Sequence, residues 1–431
     1  MDCVFTADFR EPIVNLPWPA QFPVSTTLTD LITFEKGGYA LVHLAQVCRG
    51  CYRFLWPYMP DRIPQKRMPE LDGLRGIAIL LVWTGHYFAV PGKGMLSLLD
   101  GYWFRLGWTG VDLFFVLSGF LIGGILLDVR DSPRYFQTFY RRRFFRIIPL
   151  YYAWIAIYVL LAGLAAPFLS ARIGSVQGTD LAILSHFFFL QNFRDILTST
   201  VSFWWLSATW SLAVEEQFYL VSPLVVRFLS KRALTIFLIL VTGAAPLLRW
   251  FLRGHFDSGP WLAYRLMPCR ADSLSIGMLA AMIWSNPNGR EWLGRHALSL
   301  YALFGVLFAG VAWLWRWPLP ALTQTLGYTW LALFFAVVLL LAISRPQSPL
   351  AVFARHGFLR EMGGVSYCVY IIHTTVFLFC HRILLHSLPD FTDVKVAAVT
   401  LLAALITYGI AKCSWKFLEE PLLRRGHAYR Y

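Results

Sequence analysis

The sequence predicts an all-α integral membrane protein, built as a bundle of about ten transmembrane helices with a re-entrant or interfacial segment. The 431-residue chain is 57% hydrophobic and only 14% charged, whereas soluble proteins carry about a quarter charged residues. Long apolar runs recur from residue 71 onwards, and a helix needs about 20 apolar residues to cross a bilayer. Lys and Arg cluster in the short gaps between these runs, as membrane topology requires.

The apolar runs define ten spans. The sixth is short, and the additional run 181–193 is too short to cross a bilayer, so we expect that run to be re-entrant or interfacial. The predicted spans cover residues 71–90, 107–128, 144–168, 204–227, 233–251, 271–285, 298–316, 326–343, 364–385 and 396–418.

The distribution of basic residues sets the expected topology. The formal net charge is +14, but the cations lie in gaps between spans, so we expect a membrane partner and no nucleic acid. Most Lys and Arg fall on the inside when both termini are cytoplasmic, which predicts a multi-pass protein of the cell membrane. The outside loop 249–270 is the exception. Its four cations either bind an acidic ligand or pair with the nearby acids Asp257 and Asp272. The cations are Arg249, Arg253, Arg265 and Arg270.

The chain divides into three parts. Residues 1–67 are proline-rich and mixed in polarity, which predicts a cytoplasmic or interfacial extension. This extension either forms a surface-lying amphipathic helix or is dispensable, with Met68 as the true start. Residues 68–425 form the membrane domain, and 426–431 are a short tail. The histidine and cysteine spacings predict no metal site.

The first span carries charged residues near its start and a histidine far inside the span. Arg75 and His86 are eleven residues apart, which is about 16 Å along a helix and three turns, so both face the same side. An ionisable group inside a membrane span is costly and is a functional candidate. We therefore take His86 as the candidate catalytic base.

Four arginines open the third span, in the segment FYRRRFFRIIPLYY. Arg143 and Arg146 share one helix face, and the planar guanidinium fork suits phosphate oxygens. These two either hold the phosphates of a cytoplasmic anionic cofactor or, together with Arg141 and Arg142, act as a topology signal and headgroup anchor.

Two adjacent carboxylates lie in the fourth span. Ser211, Glu215 and Tyr219 follow i,i+4 spacing on one face, and Glu216 is the neighbour. Either Glu215 orients His86 and stabilises its imidazolium, or the acids lie in water at the interface.

Other polar residues interrupt the second and ninth spans. Asp112 is a candidate for substrate binding, whereas Ser118, Gly119, Gly123 and Gly124 are expected to allow close helix packing. The later stripe of Ser366, Tyr370 and His373 either forms a satisfied polar core or lines a buried acceptor path.

Six ordered motifs resemble the acyltransferase-3 family of multi-pass membrane O-acyltransferases, over about residues 68–425. The motifs are LDGLRGIAILLVWTGH at 71–86, GWTGVDLFFVLSGFLI at 107–122, FYRRRFFRIIPLYY at 139–152, WSLAVEEQFYLVSP at 210–223, SYCVYIIH at 366–373 and FLEEPLL at 417–423.

This resemblance implies O-acylation, usually acetylation, of a carbohydrate or related hydroxyl acceptor. It implies acetyl-CoA as donor and no permanently bound cofactor. It assigns His86 and Arg75 to the R-x10-H motif, Arg143 and Arg146 to acyl-CoA binding, and Glu215 to the glutamate motif, with Glu216 as the alternative. Some relatives carry a fused extracytoplasmic domain, so we expect a separate partner to supply that step if it is needed.

Several alternatives stay open from the sequence. His86 either activates the acceptor hydroxyl directly or forms an acyl-histidine intermediate. The competing class is a transporter or flippase of an anionic solute or lipid-linked intermediate, with the buried polar residues as its pathway.

Overall fold

The computed structural model describes residues 68–88, 106–164, 180–197, 205–316, 320–386 and 394–431. The predicted N-terminal extension, residues 1–67, lies outside the described residues. All regular secondary structure in the described ranges is helical, which confirms the all-α class.

The described residues form a series of helices. In chain order they are α1 (Pro69–Phe88), α2 (Thr109–Asp128), α3 (Tyr135–Leu164), α4 (Asp180–Phe187), α5 (Gln191–Leu197), α6 (Trp210–Phe228), α7 (Lys231–His255), α8 (Gly259–Arg265), α9 (Met267–Ser285), α10 (Pro287–Arg295), α11 (Ala297–Arg316), α12 (Tyr328–Ser344), α13 (Pro349–Ala354), α14 (Gly357–Leu384), α15 (Val394–Ser414) and α16 (Glu420–Ala428). A 3₁₀ turn at Ser207–Thr209 precedes α6, and π-helical turns at Thr323–Gly327 and Trp415–Glu419 lead into α12 and α16.

Within the described residues, eight helical segments are long and apolar enough to cross a membrane. The protein is therefore an all-α integral membrane protein. Two further predicted spans, α1 and α6, are helices of 20 and 19 residues that each carry more than two charges. Those charges are Glu70, Asp72 and Arg75 in α1, and Glu215, Glu216 and Arg227 in α6.

Two boundaries differ from the prediction in an informative way. Helix α3 begins at Tyr135 rather than at 144, because arginine is a good helix former and continues the helix through the basic run. The sixth span is longer than expected, since α8 and α9 together give a 27-residue candidate. The segment 181–193 overlaps the short helices α4 and α5, of 8 and 7 residues, and neither has membrane-spanning length.

Small residues set the closest helix contacts. Helix α1 packs against α14 and α2, and α2 packs against α9. A Cβ at Gly119 would lie 2.0 Å from the carbonyl oxygen of Leu274, and one at Gly277 would lie 2.2 Å from that of Val116. The expected packing role also holds for Gly123, whereas Gly124 has open space beside it. This close approach brings α2 and α9 together beside the polar core.

Candidate active site

A cavity of about 90 Å³ lies among α1, α2, α3, α6 and α14. We call it the central cavity. It combines a cationic group of three arginines with one carboxylate and several hydroxyls. Its polar lining consists of Arg75, Ser118, Arg143, Arg146, Ser211, Glu215, Tyr219, Ser366, Tyr367 and Tyr370.

The three arginines come from two helices. Arg75 of α1 faces Asp72, with 3.6 Å between its Nη1 and the carboxylate Oδ1. Arg143 of α3 lies over the ring of Tyr219, 5.3 Å from its centroid. Within the described residues, neither Arg143 nor Arg146 forms a salt bridge. Their guanidinium groups can therefore bind an external anion.

Glu215 is held by two hydroxyl donors. Ser118 Oγ donates to its Oε1 at 2.8 Å, and the Tyr219 hydroxyl donates to its Oε2 at 3.0 Å. The predicted face of α6 therefore reaches the central cavity.

Two expectations need correction. Ser118 is a cavity residue as well as part of the packing stretch, and the expected contact between Glu215 and His86 is not formed.

Glu216 faces a different space. It lines a second cavity of about 300 Å³ that shares Arg143 and Tyr219 with the central cavity. Within the described part of the chain its Oε1 is buried without a hydrogen-bond partner. The adjacent glutamates of α6 thus belong to two cavities, and only Glu215 lies in the central one.

The polar stripe of α14 forms another part of the cavity lining. The Tyr370 hydroxyl contacts Ser211 Oγ and donates to the carbonyl oxygen of Ala208 at 3.0 Å. Tyr367, which the sequence placed off the stripe, also lines the cavity and donates to the carbonyl oxygen of Ile147 at 2.8 Å. Ser366 and Tyr370 therefore both line the central cavity.

The two histidines form a pair beyond Tyr370. His86 is exposed and is not part of the cavity lining, whereas His373 is fully buried. The Nε2 atom of His373 lies 3.3 Å from Nδ1 of His86, and the rings meet edge to face, 4.9 Å between centroids. The ring of His373 is in turn 5.9 Å from that of Tyr370. His373 thus connects His86 to the cavity wall instead of lining the cavity itself.

The partners of this pair determine where the protons lie. His373 Nδ1 is 3.0 and 2.8 Å from the carbonyl oxygens of Val369 and Tyr370, and a carbonyl only accepts, so Nδ1 carries the proton. In neutral His373 the Nε2 atom is then an acceptor. His86 Nδ1 also lies 2.9 Å from the carbonyl oxygen of Val82. Because both of these partners accept, His86 holds its proton on Nδ1, and its Nε2 is the unprotonated nitrogen.

Asp112, a candidate for substrate binding, lies elsewhere. It is fully buried and forms a salt bridge with Arg270, which is also fully buried. For the loop 249–270, pairing with a nearby acid is found at one cation: Arg249 donates to Asp272 Oδ2 at 2.9 Å. Asp112 and Arg270 therefore join α2 to α9 as an interhelical ion pair and do not line the central cavity.

The first two arginines of the basic run have a separate role. Arg142 donates through Nε and Nη2 to the carbonyl oxygen of Tyr429, at 3.0 and 2.7 Å. Arg141 lies over the Tyr429 ring, 4.8 Å from its centroid. The four arginines thus divide into two that hold the C-terminal tail and two that line the cavity, namely Arg143 and Arg146.

The fold and the site define a class: a multi-pass helical membrane protein whose core holds a polar cavity with three arginines and a hydrogen-bonded carboxylate. The family comparison is more specific. The profile of the acyltransferase domain of the acyltransferase-3 family matches residues 68–412. The chain therefore belongs to this family, as its motifs predict.

Curated relatives agree with this assignment. The peptidoglycan O-acetyltransferase OatA of Listeria monocytogenes is 27% identical over 388 residues, which cover 85% of this chain and 57% of the relative. The putative peptidoglycan O-acetyltransferase YrhL of Bacillus subtilis is 27% identical over 83% of this chain and 55% of the relative. For the O-acetyltransferase OatA of Staphylococcus aureus, identity is 25% over 83% of this chain and 58% of the relative. The chain thus spans somewhat more than half the length of these relatives. No solved structure matches the chain.

Proposed function

We propose that this protein is a membrane O-acyltransferase that moves an acetyl group from acetyl-CoA to a hydroxyl of a carbohydrate acceptor. Family membership supports acyl transfer, and the names of the relatives support acetyl as the acyl group. Two of those relatives are named as acting on peptidoglycan, so peptidoglycan or its precursors are the acceptors that we propose. The family match favours this enzyme over the transporter alternative.

The observation that carries the proposal is the meeting of Arg75, Arg143 and Arg146 at one small cavity. Acyl-CoA is rich in phosphate, and guanidinium groups bind phosphate in a bidentate manner. The same cavity is lined by hydroxyl groups and by the carboxylate of Glu215. We infer that the arginines hold the donor at the cavity mouth and that its flexible arm carries the thioester inward.

His86 is the proposed general base. Its unprotonated Nε2 takes the proton of the acceptor hydroxyl while the hydroxyl oxygen attacks the thioester carbonyl carbon. The new C–O bond forms, the C–S bond breaks, and the CoA thiolate leaves and takes the proton from the His86 imidazolium. A positioned base of this kind contributes about 10²–10⁴-fold in rate.

His373 takes the part that the sequence suggests for Glu215. Its Nε2 accepts from His86 Nδ1 and stabilises the imidazolium that forms during proton transfer, as the third member of a catalytic triad does. Glu215, hydrogen-bonded by Ser118 and Tyr219, instead balances the charge of the arginines and helps to position the donor.

Transfer follows one of two step orders. In the first, the acceptor attacks the thioester directly. In the second, His86 Nε2 attacks first and an acyl-histidine passes the acetyl group to the acceptor. Rapid quenching with labelled acetyl-CoA and no acceptor distinguishes them, because only the second order leaves label on the protein.

The orientation that we propose places both termini and the arginines toward the cytoplasm, where acetyl-CoA is available. In this orientation His86 lies toward the extracytoplasmic end of α1. It is about 16 Å from Arg75, measured along the helix axis. An acceptor or a separate extracytoplasmic partner would take the acetyl group there.

The direct test uses the purified protein in proteoliposomes with labelled acetyl-CoA and peptidoglycan fragments. We expect ester-linked label on the glycan, released by mild base. Movement of an unmodified solute without ester formation would contradict the proposed activity.

A further inference from the structure

A second cationic site lies on α3, outside the central cavity. We call it the tail pocket: a space of about 200 Å³ whose polar walls are Arg134, Gln137, Thr138, Arg141, Tyr429 and Arg430. Residues 134, 137, 138 and 141 follow the i, i+3, i+4, i+7 pattern of one helix face. Arg143 is two residues beyond Arg141, a rotation of about 200°, so the central cavity lies across the helix.

The C-terminal tail builds the other wall. Its backbone is fixed because Thr138 Oγ1 donates to the carbonyl oxygen of Arg430 at 2.9 Å, and Arg142 donates to that of Tyr429. The Tyr429 ring stacks on Phe145, 5.9 Å between centroids. These contacts place the last arginine of the chain beside Arg134, which precedes α3, and Arg141 of α3.

Among the described residues, no carboxylate is paired with the arginines of the tail pocket. In the described parts of the chain, Arg134, Arg141 and Arg430 form no salt bridge, whereas several other exposed arginines do, such as Arg295 with Glu291 and Arg424 with Glu420. Three like charges around one small space repel one another. An anion with several oxygens would remove that repulsion and use the open guanidinium forks.

We propose that the tail pocket is a binding site for a phosphate group. Two molecules offer that group at the expected cytoplasmic end of α3: an anionic phospholipid headgroup, and the nucleotide end of acyl-CoA. Basic pockets at this level of membrane proteins bind anionic headgroups. The nucleotide source rests on the proposed function, whereas the lipid source does not.

The experiment separates the two sources. The protein is purified from vesicles of phosphatidylcholine with phosphatidylglycerol, and the retained lipid is counted by native mass spectrometry. Binding of adenosine 3′,5′-bisphosphate is measured in parallel on protein in pure phosphatidylcholine nanodiscs. The variants are Arg134→Gln and Arg141→Gln. The matched control is Arg425→Gln, an exposed arginine near the same tail that does not line the pocket.

A charge-assisted hydrogen bond of the usual strength predicts about a tenfold loss of affinity for each variant. A loss of retained phosphatidylglycerol in the two pocket variants, but not in the control, assigns the site to lipid. A loss of nucleotide binding with unchanged lipid assigns it to the donor. Equal retention of lipid and equal nucleotide binding in all variants would overturn the proposal. Thermal unfolding of each variant guards against misfolding, and Arg141→Lys provides a second, charge-preserving variant with partial binding expected.

The result is independent of the transfer assay. If acetyl transfer is absent but phosphatidylglycerol retention depends on Arg134 and Arg141, the proposed function fails and the site stands. If transfer occurs but neither ligand depends on these arginines, the site fails and the function stands.

Discussion

His373 Nε2 lies 3.3 Å from His86 Nδ1, although the two residues are 287 positions apart in the chain. Carbonyl acceptors at Val82, Val369 and Tyr370 leave one arrangement of protons in the neutral pair. The pair therefore presents His86 Nε2 as an unprotonated nitrogen, which is the form that a general base requires.

Replacing His373 should slow the chemical step and leave donor binding unchanged. We expect His373→Phe to lower kcat about 10–100-fold with little change in the KM for acetyl-CoA, because the imidazolium loses its acceptor. His373→Gln should recover part of the rate, since its side-chain oxygen can accept from Nδ1. A large rise in KM with unchanged kcat would assign His373 to substrate binding instead.

The tautomer of His86 can be measured without activity. Nitrogen-15 NMR on protein labelled at histidine separates the Nδ1–H and Nε2–H forms of the neutral ring, and His86→Gln identifies the His86 signal. We expect the Nδ1–H form in the wild type. An Nε2–H form at His86 would contradict the role of the pair.

Replacing the cavity arginines should weaken the binding of the donor, acetyl-CoA. Arg143→Ala and Arg146→Ala are expected to raise the KM for acetyl-CoA about tenfold or more, because each removes a charge-assisted contact to phosphate. The KM for the acceptor should change less. Arg360→Ala removes an exposed arginine from another helix and serves as the control. A greater effect on the acceptor than on the donor would show that these arginines do not hold acyl-CoA.

Replacing each of the two adjacent glutamates should have a different effect on activity. Glu215→Gln removes the charge that faces the arginines in the central cavity, so we expect a loss of at least tenfold in kcat/KM. Glu216 lies in the second cavity, so Glu216→Gln should retain most activity. Equal losses in the two variants would mean that both carboxylates serve one site.

Replacing Asp112 should lower the stability of the protein. Asp112→Asn leaves Arg270 buried without its counter-charge, which typically costs about 3–5 kcal/mol. We expect a clear fall in the thermal unfolding midpoint in detergent, with an unchanged acceptor KM in the protein that remains folded. Asp257→Asn, at an exposed acid, is the control. A stable Asp112→Asn protein with a raised acceptor KM would restore Asp112 to the substrate site.

The sequence predicts the cavity residues that share a helix face. The pair Arg143 and Arg146, and the row of Ser211, Glu215 and Tyr219, reach the central cavity because helical periodicity alone sets which side chains lie together. The same reasoning does not give the partner of a side chain on another helix, since that depends on the rotation and depth of helices far apart in the sequence.

This limit explains the particular differences. Glu215 was the natural partner for His86 by chemistry, but α14 brings His373 closer, and Ser118 and Tyr219 occupy the carboxylate. The polar stripe that ends in His373 was the available signal. The division of the basic run was also beyond the sequence, because the tail that binds Arg141 and Arg142 becomes adjacent to them only in the folded protein.

The measurement that tests the central claim most directly is the rate of acetyl transfer by His86→Ala in proteoliposomes with labelled acetyl-CoA. The matched control is His356→Ala, at an exposed histidine, and thermal unfolding checks that both variants are folded. We predict a loss of about 10²–10⁴-fold for His86→Ala and near wild-type transfer for the control. A folded His86→Ala protein that transfers acetyl at the wild-type rate would contradict the assignment of His86 as the base.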